Sequence, residues 1–163
     1  MRVSVRRFAP EDAEAVASVM FASVRLGALS DYTPEQVEAW MPEPPALQTV
    51  RRWAEDGRLL LVAVADDGAL VGWADMTVDG CIDHLFCAPR VIGRGVGSAL
   101  YDALEQHARQ QGLPRLTVHA SELARRLFTA RGFTADQRQE LERRGVPLHN
   151  HVMHKDLDAR RSP

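Results

Sequence analysis

The pattern of apolar and polar residues predicts helices in the first third of the chain. Residues 2 to 8 alternate as a strand does. An apolar stripe at helical spacing follows, formed by Ala13, Val16, Met20 and Val24. In TPEQVEAW, Thr33 is placed to cap a second helix, with Pro34 at its first position and Gln36 completing a capping box. A third helix is predicted over residues 46–56.

The centre and the end of the chain are rich in strands. RLLLVAVA, ALVGWADMTV and CIDHLFCA predict three consecutive antiparallel strands, the last two joined at the hairpin signal Asp79-Gly80. A helix then runs from about Gly97 to Gly112, followed by the strand RLTVHA, a helix over 121–131, and strands over 133–142 and 147–156. The fold class is α+β, with a mixed, largely antiparallel sheet. We predict a single domain over 1–157 and a flexible tail over 158–163.

Composition narrows the range of functions. A chain of 163 residues with a formal net charge of −2 lacks the broad basic field of most nucleic-acid binding proteins. Cys81 and Cys87 lie on one predicted strand, beyond disulfide reach, which favours a reducing compartment. The first residues lack the apolar block of a signal peptide, and no apolar run is long enough to span a bilayer. We therefore predict a cytoplasmic protein that binds neither nucleic acid nor a membrane.

The stretch VIGRGVGSAL places Gly93, Gly95 and Gly97 at the start of a predicted helix. Backbone N–H groups are exposed at that end of a helix, and glycine lets an anion approach them. A Walker loop would need a Gly-Lys-Ser/Thr ending, and a dinucleotide fingerprint would need glycine at position 98, where Ser98 stands. Two interpretations remain: an anion-binding loop, and a turn that only lets the helix pack close to the sheet.

Two longer motifs carry a resemblance to a known superfamily. APRVIGRGVGSALYDALEQHARQQG is similar to the acyl-CoA binding motif of the GNAT N-acetyltransferases, and HASELARRLFTARGF resembles their second motif. YTPEQVEAW, IDHLFCAP and ERRGVPLHNHVMHK resemble the small bacterial YafP-like branch of that superfamily. The resemblance covers almost the whole chain. It implies a GNAT fold, in which about seven strands are flanked by helices and the sheet is splayed between strands 4 and 5.

The resemblance also implies acetyl-CoA as the cosubstrate. Its pyrophosphate would lie on the amides of residues 93–98, and its pantetheine arm along residues 85–87. The implied cofactor-binding residues are Leu85, Phe86, Cys87, Arg90, Gly93, Arg94, Gly95, Val96, Gly97, Ser98, Ser121, Ala124, Phe128 and Arg131.

Three positions depart from the family pattern. Ile92 stands where an arginine or glutamine is usual, and Ser121 where asparagine is common. Phe128 stands where a tyrosine often protonates the departing thiolate. Since Phe128 has no proton to give, we expect it to pack against the thioester, with water supplying the proton.

Transfer to an amine requires a base that removes a proton from the ammonium group. Asp83 aligns with the glutamate base of histone-acetylating relatives and, enclosed by apolar neighbours, would take up a proton near neutrality. Its alternative role is that of a hairpin aspartate bound to backbone donors. His119, near the end of RLTVHA, is the second candidate for the base. Its alternative role is to cap the helix that follows. His84 is expected to face away from Asp83 and to pack on the sheet.

The acceptor pocket is expected beside the helices that follow the first strand. Aromatic walls there would suit a small amine with an apolar body, although Trp40 also has the spacing of a core residue. The predicted substrate-binding residues are Tyr32, Trp40, Trp73, Asp75 and Asn150.

The stretch HNHVMH brings three histidines close together in sequence. On a strand, His149 and His151 share a face while His154 points away. No cysteine or acidic pair in the stretch completes a ligand set, so no metal is predicted.

The sequence therefore predicts an acyl-CoA dependent N-acyltransferase. We expect acetyl transfer to a small-molecule or peptide amine, by direct attack in a ternary complex. One alternative is a non-catalytic acyl-CoA sensor or interaction module, which Ile92 and Phe128 suggest. Another is an accessory protein that binds nucleic acid through Arg125, Arg126 and Arg131. The family resemblance is compatible with a homodimer.

Overall fold

The computed structural model describes residues 1–157, so the predicted tail at 158–163 lies outside the described residues. The strands are β1 (Val3–Arg7), β2 (Leu59–Ala65), β3 (Leu70–Met76), β4 (Cys81–Cys87), β5 (Arg115–Ala120), β6 (Thr134–Arg143) and β7 (Val146–Asp156). The helices are α1 (Ala13–Arg25), α2 (Pro34–Trp40), α3 (Leu47–Glu55), α4 (Val96–Gln110) and α5 (Glu122–Ala130). Single 3₁₀ turns cover Pro10–Asp12, Gly27–Ser30 and Pro89–Val91.

The strands form one sheet in the order β1-β2-β3-β4-β5-β7-β6. Neighbours are antiparallel except β4 and β5, which run parallel. Those two strands pair only at Cys81 with Thr117 and at Ile82 with Val118, near the start of β4. The rest of the β4 edge therefore faces a gap. The predicted α+β class, the mixed sheet and the splay between strands 4 and 5 are confirmed.

Helices cover both faces of the sheet. In β2, Leu59 and Leu61 belong to the core beneath α4, whereas Leu60 and Val62 belong to the core beneath α1, α2 and α3. Successive side chains of a strand point to opposite faces, so a strand covered on both sides has an uninterrupted apolar run. This explains the sequence LLLVAV.

Local signals explain most of the element boundaries. The capping box of α2 forms: Thr33 Oγ1 accepts from the Gln36 amide at 3.1 Å, and Gln36 Oε1 accepts from the Thr33 amide at 2.9 Å. The β3–β4 hairpin differs from its prediction. Its turn spans Thr77–Gly80 rather than two residues, with the Gly80 amide bonded to the Thr77 carbonyl at 3.1 Å. Past this turn, β4 carries one extra residue, Asp83, because Asp75 pairs with His84 while Met76 pairs with Ile82.

The stretch Pro10–Ser30 is long and apolar enough, by length and composition, to cross a membrane. It consists of two 3₁₀ turns with α1 between them. The buried side of α1, including Val16 and Val24, packs in the core. A core helix of a folded domain meets the same criteria.

A hydrogen-bonded cluster fixes α4 against β7. Glu105 accepts hydrogen bonds from Tyr101, from Arg109 at 2.7 Å and from Lys155 at 2.9 Å. Burial alone would raise the pKa of Glu105, but these three donors outweigh it and lower the pKa from its ordinary 4.5 to about 2. The cluster therefore stabilises the folded state only while Glu105 is ionised.

This gives a prediction for Glu105→Gln. A carboxylate whose pKa is lowered on folding contributes stability above its unfolded pKa, and loses it as the pH falls through the folded value. We expect the variant to be less stable than the wild type at pH 7, by roughly 2–3 kcal/mol, and the difference to shrink between pH 4.5 and about 2. Urea unfolding across this range measures it. The control, Glu140→Gln at an exposed pair, should show little difference at any pH; a pH-independent gap for Glu105→Gln would contradict the assignment.

Candidate functional site

A groove opens where β4 and β5 diverge, and it consists of two joined cavities. The first, here the loop cavity, measures about 600 Å³ and lies between β4, the glycine loop at 92–98 and α5. The second, here the cleft cavity, measures about 240 Å³ and lies between β4, β5 and β7. Both are lined by Trp40, Leu85, Phe86, Ser121 and Ala124. One extended ligand can therefore occupy both cavities.

The glycine loop forms an open cradle at the start of α4. Gly93 and Gly95 have φ angles of +80° and +85°, in the left-handed region that side chains rarely adopt. Among residues 1–157, no heavy atom lies within 4 Å of the point where a Cβ would stand at either residue. Helix α4 begins at Val96, and the first amides of a helix have no partner within it. The loop thus presents free N–H groups and empty space to an anion.

The β4 edge supplies hydrogen-bonding groups to the same groove. The Ala88 amide bonds to the Val71 carbonyl on β3 at 2.8 Å. Because backbone groups alternate sides along a strand, those of Leu85 and Cys87 point toward the gap left by β5. They are free to pair with an extended ligand as a missing strand would.

A histidine and a buried aspartate meet in the wall of the cleft cavity. His84 Nδ1 lies 2.9 Å and 3.1 Å from the two oxygens of Asp75, which also accepts the His84 amide at 2.8 Å. Asp75 is fully buried. The His84 ring packs 4.5 Å from the Trp53 ring and lines the cavity, and within residues 1–157 no hydrogen bond is made by its Nε2. Asp75 thus orients an imidazole whose second nitrogen is free to exchange a proton.

Arg58 holds this aspartate from the other side. Its Nη1 donates to Asp75 at 2.8 Å and to Asp83 at 2.9 Å, and its Nη2 donates to Asp56 at 2.7 Å. Only 11% of the Arg58 side chain is exposed. The guanidinium therefore compensates the buried charge of Asp75.

The predicted enclosure of Asp83 is wrong. The Asp83 side chain is 48% exposed and bonds to Arg58, because the extra residue in β4 turns it out of the regular alternation. Asp83 still lines the cleft cavity, as does His119, which is exposed at the end of β5. His84 was expected only to pack on the sheet, but its ring also lines the cleft cavity.

Three of the predicted acceptor residues line the cleft cavity: Tyr32, Trp40 and Asn150. The Tyr32 hydroxyl accepts from the Glu122 amide at 3.0 Å and donates to a backbone carbonyl of β7 at 3.1 Å. Burial raises the pKa of Tyr32. The Oδ1 atom of Asn150 is buried without a hydrogen-bond partner in the part of the chain that is described. A ligand N–H in the cavity would satisfy it.

Trp73 and Asp75 do not line either cavity, which corrects their predicted place in the pocket wall. Both are fully buried, since β3 is an inner strand with helices on both of its faces. Trp73 packs 5.0 Å from His84 and 5.9 Å from Phe86, ring to ring. Trp73 and Asp75 therefore lie beneath the residues that form the wall of the cleft cavity and support them.

The two histidines that share a face of β7 have an acidic partner. Nε2 of His149 and Nε2 of His151 lie 2.8 Å and 2.5 Å from Oε1 of Glu122, the first residue of α5. No cysteine or acidic pair was expected for these histidines, and this single glutamate from another element was not identified from the sequence. Hydrogen bonds from His151 and His149 outweigh desolvation and lower the pKa of Glu122 to about 2.

A family model described as an acetyltransferase (GNAT) domain matches residues 28–156. The chain belongs to the GNAT acetyltransferase family. It is 30% identical to the uncharacterised N-acetyltransferase YafP of Escherichia coli K12 over 151 residues, which are 93% of this chain and 94% of that protein. The resemblance to this superfamily and its YafP-like branch is thus confirmed.

Solved structures agree with this family. The chain is similar to a GCN5-related N-acetyltransferase from Rhodopseudomonas palustris, with 36% identity, a TM-score of 0.84, and coverage of 96% of this chain and 97% of that one. It is also similar to a phosphinothricin acetyltransferase from Sinorhizobium meliloti, solved with acetyl-CoA. That likeness has 20% identity and a TM-score of 0.74 over 96% of this chain and 89% of that one. The GNAT fold is confirmed.

Most of the residues implied for the GNAT cofactor line the loop cavity: Leu85, Phe86, Cys87, Gly93, Gly95, Gly97, Ser98, Ser121 and Ala124. Ser121 caps α5, with its Oγ accepting from the Ala124 amide at 3.2 Å. Arg90 and Arg94 are exposed beside the loop, and Val96 is buried in the core. Phe128 is buried in the wall of the cleft cavity. Ile92 lines the loop cavity and is 39% exposed.

Arg131 does not lie at the glycine loop, which corrects its predicted place among the cofactor-binding residues. It lies at the C-terminal end of α5, bonds to Asp102 at 2.5 Å, and stacks its guanidinium 5.6 Å from the Tyr101 ring centre. The arginine of α5 that lines the loop cavity is Arg126. The spacing of α5 places 126 beside its cavity-lining neighbours at 123 and 127, whereas 131 lies a further turn along.

The arginines proposed for nucleic-acid binding are all paired with carboxylates, as Arg125–Glu122, Arg126–Asp31 and Arg131–Asp102. These pairs reduce the positive charge available to phosphate groups.

Sequence reasoning missed the pairing of His84 with Asp75. A two-residue turn at Asp79-Gly80 would also place position 75 opposite position 84, but the observed turn spans Thr77–Gly80, and the pairing arises through the extra residue Asp83. The role of Arg58 had no comparable signal, because its contact with Asp83 spans 25 positions.

The contacts of Arg58 lead to a stability prediction. Arg58→Gln removes the guanidinium from buried Asp75, leaving a poorly compensated charge, and should cost about 3 kcal/mol of unfolding free energy. The matched control is Arg115→Gln, whose pair with Asp156 is exposed on both sides and should contribute at most about 1 kcal/mol. Urea unfolding at neutral pH measures both. Equal losses would show that Asp75 does not depend on the guanidinium.

Proposed function

We propose that this GNAT-family chain transfers an acetyl group from acetyl-CoA to a small primary amine, by direct attack in a ternary complex. The observation that carries this proposal is the junction of the two cavities at Leu85, Phe86 and Ser121. A thioester held in one cavity can meet an amine held in the other at that junction. Positioning of this kind supplies much of the rate of a transfer reaction. The cytoplasmic location and the homodimer stay predictions.

The loop cavity fits acetyl-CoA by shape and by chemistry. The open cradle at Gly93 and Gly95 and the free amides of α4 suit a pyrophosphate. The outward backbone groups of Leu85 and Cys87 suit the amides of a pantetheine arm. The phosphinothricin acetyltransferase similar in fold was solved with acetyl-CoA, which supports this choice of cosubstrate.

The cleft cavity fits a small acceptor. Its volume of about 240 Å³ and its walls at Tyr32, Trp40 and Phe128 suit an amine with a short apolar body. The unpartnered Oδ1 of Asn150 would accept a hydrogen bond from the acceptor nitrogen or another N–H group.

We assign the base to His84 rather than to Asp83 or His119. The buried carboxylate of Asp75 holds Nδ1–H, so Nε2 can take the proton of the ammonium group while Asp75 stabilises the imidazolium that forms. The neutral amine then attacks the thioester carbonyl. A backbone N–H group of the free β4 edge that the pantetheine arm leaves unpaired would stabilise the developing oxyanion, and the carbon–sulfur bond breaks to release CoA as thiolate.

Cys87 supports direct attack rather than a covalent acyl-enzyme. Burial raises the pKa of its thiol to about 11, so the nucleophilic thiolate is scarce at neutral pH. Phe128 packs edge to face on Tyr101 and Phe133 and has no exchangeable proton. The attacking nitrogen loses its second proton as the tetrahedral intermediate collapses, and water is left to carry that proton to the departing thiolate.

Calorimetry with acetyl-CoA tests the binding step. We expect saturable binding by the wild type and a loss of at least about tenfold in Gly95→Glu, because the carboxylate fills the cradle and repels the pyrophosphate. Gly68→Glu is the matched control. Gly68 lies in the turn between β2 and β3, has a φ of +84°, and has no atom of the described part of the chain within 4 Å of its Cβ point. Equal affinity in both variants, or no binding by the wild type, would contradict the proposed cavity.

The assignment of the base is tested by CoA release in a screen of primary amines. With an active acceptor, His84→Gln should lower kcat by about 10²–10⁴-fold with little change in acetyl-CoA affinity. Asp83→Asn and His119→Gln should stay within a few-fold of the wild type. If either of them loses kcat to this degree and His84→Gln does not, the base is misassigned. Acetyl-CoA binding without turnover across the screen would favour the non-catalytic sensor.

A further inference from the structure

Glu122, His149 and His151 form a cluster at the edge of the groove that has no role in the proposed transfer reaction, although His149 also lines the cleft cavity. Two of them come from one face of β7 and the third from the first turn of α5. One ligand atom from each residue lies within 4.8 Å of the other two. Two imidazole nitrogens and a carboxylate oxygen are a ligand set that zinc and related transition metals prefer.

Glu122 and His149 are each held in place by a second contact. Arg125 lies 3.1 Å from Oε2 of Glu122, leaving Oε1 directed at the histidines. The Tyr32 hydroxyl accepts the Glu122 amide, and the Tyr32 ring packs 5.5 Å from the His149 ring. Contacts that orient metal ligands in this way are typical of metal sites in proteins.

The spacing allows an ion to enter with small movements. Bonds of about 2.0–2.2 Å at tetrahedral angles place neighbouring ligand atoms about 3.3 Å apart. Glu122 Oε1 now lies 2.8 Å from His149 Nε2 and 2.5 Å from His151 Nε2. The carboxylate therefore has to withdraw by less than about 1 Å from each histidine nitrogen to admit a metal ion, and those two nitrogens lie within 4.8 Å of each other.

The other cluster of similar residues has no room for a cation. Asp75, Asp83 and His84 also bring their ligand atoms within 4.8 Å of one another. There, however, Nη1 of Arg58 already bonds to both carboxylates. In the cluster of Glu122, the histidines are the only described side chains that bond to Oε1, because Arg125 bonds to Oε2 instead.

We propose that Glu122, His149 and His151 bind one divalent transition metal ion of the zinc class, with a fourth position filled by water. The ion would join the start of α5 to β7. Since Ser121 and Ala124 of that first turn line both cavities, it would brace one wall of the groove. The site does not depend on acetyl transfer.

The test begins with full-length protein stripped of metal by a chelator. Titration with Zn²⁺ against a chromophoric chelator should show one ion per chain. Glu122→Gln and His151→Gln should each weaken binding by at least about 100-fold, because each removes a direct ligand. His154→Gln is the matched control: it removes a histidine of the same strand whose partner is Asp136 instead. Its affinity should equal that of the wild type.

A second measurement uses the wild type alone, so it stands even if a variant fails to fold. X-ray absorption at the zinc edge should show two imidazoles at about 2.0–2.1 Å, with the remaining ligands oxygen. Failure of the wild type to bind one equivalent, or fewer than two imidazoles in its spectrum, overturns the proposal. So does an equal loss of affinity in His151→Gln and His154→Gln.

Discussion

The structure depends on the loss of pairing between β4 and β5 after Ile82. Two neighbouring parallel strands usually continue their hydrogen bonds along their length, and a buried edge without partners is costly. Here the bonds stop after two residue pairs. The free edge gives the protein a groove lined with backbone donors and acceptors, and a ligand that pairs with them restores what the sheet lacks. Both cavities, and the residues that line them, follow from this gap.

A second departure from regular sheet geometry arranges the chemistry beside the gap. The extra residue Asp83 changes which side chains of β4 face each side. His84 and Phe86 lie over Trp73, while Asp83 turns outward to Arg58. The same bulge thus removes the residue first considered as a base from enclosure and places its neighbour on a buried carboxylate.

Features that depend on neighbouring residues could be predicted from the sequence, and features that depend on distant residues could not. The capping box at Thr33, the strand alternation and the glycine loop at the start of α4 depend on residues within a few positions of one another, so they were recognisable. The bulge at Asp83 has no local marker. The contacts of Arg58 with Asp83, and of Glu122 with the histidines of β7, span 25 to 29 positions, and only the folded chain brings them together. Trp73 has an aromatic side chain that would suit a pocket wall, but its place on an inner strand buries it.

Cys87 places a sulfur atom in the wall of the loop cavity. Burial keeps its proton bound at neutral pH, and a protonated thiol reacts slowly with electrophiles and peroxides. At this position the cavity wall therefore offers an oxidant a thiol rather than a thiolate, the less reactive of the two forms.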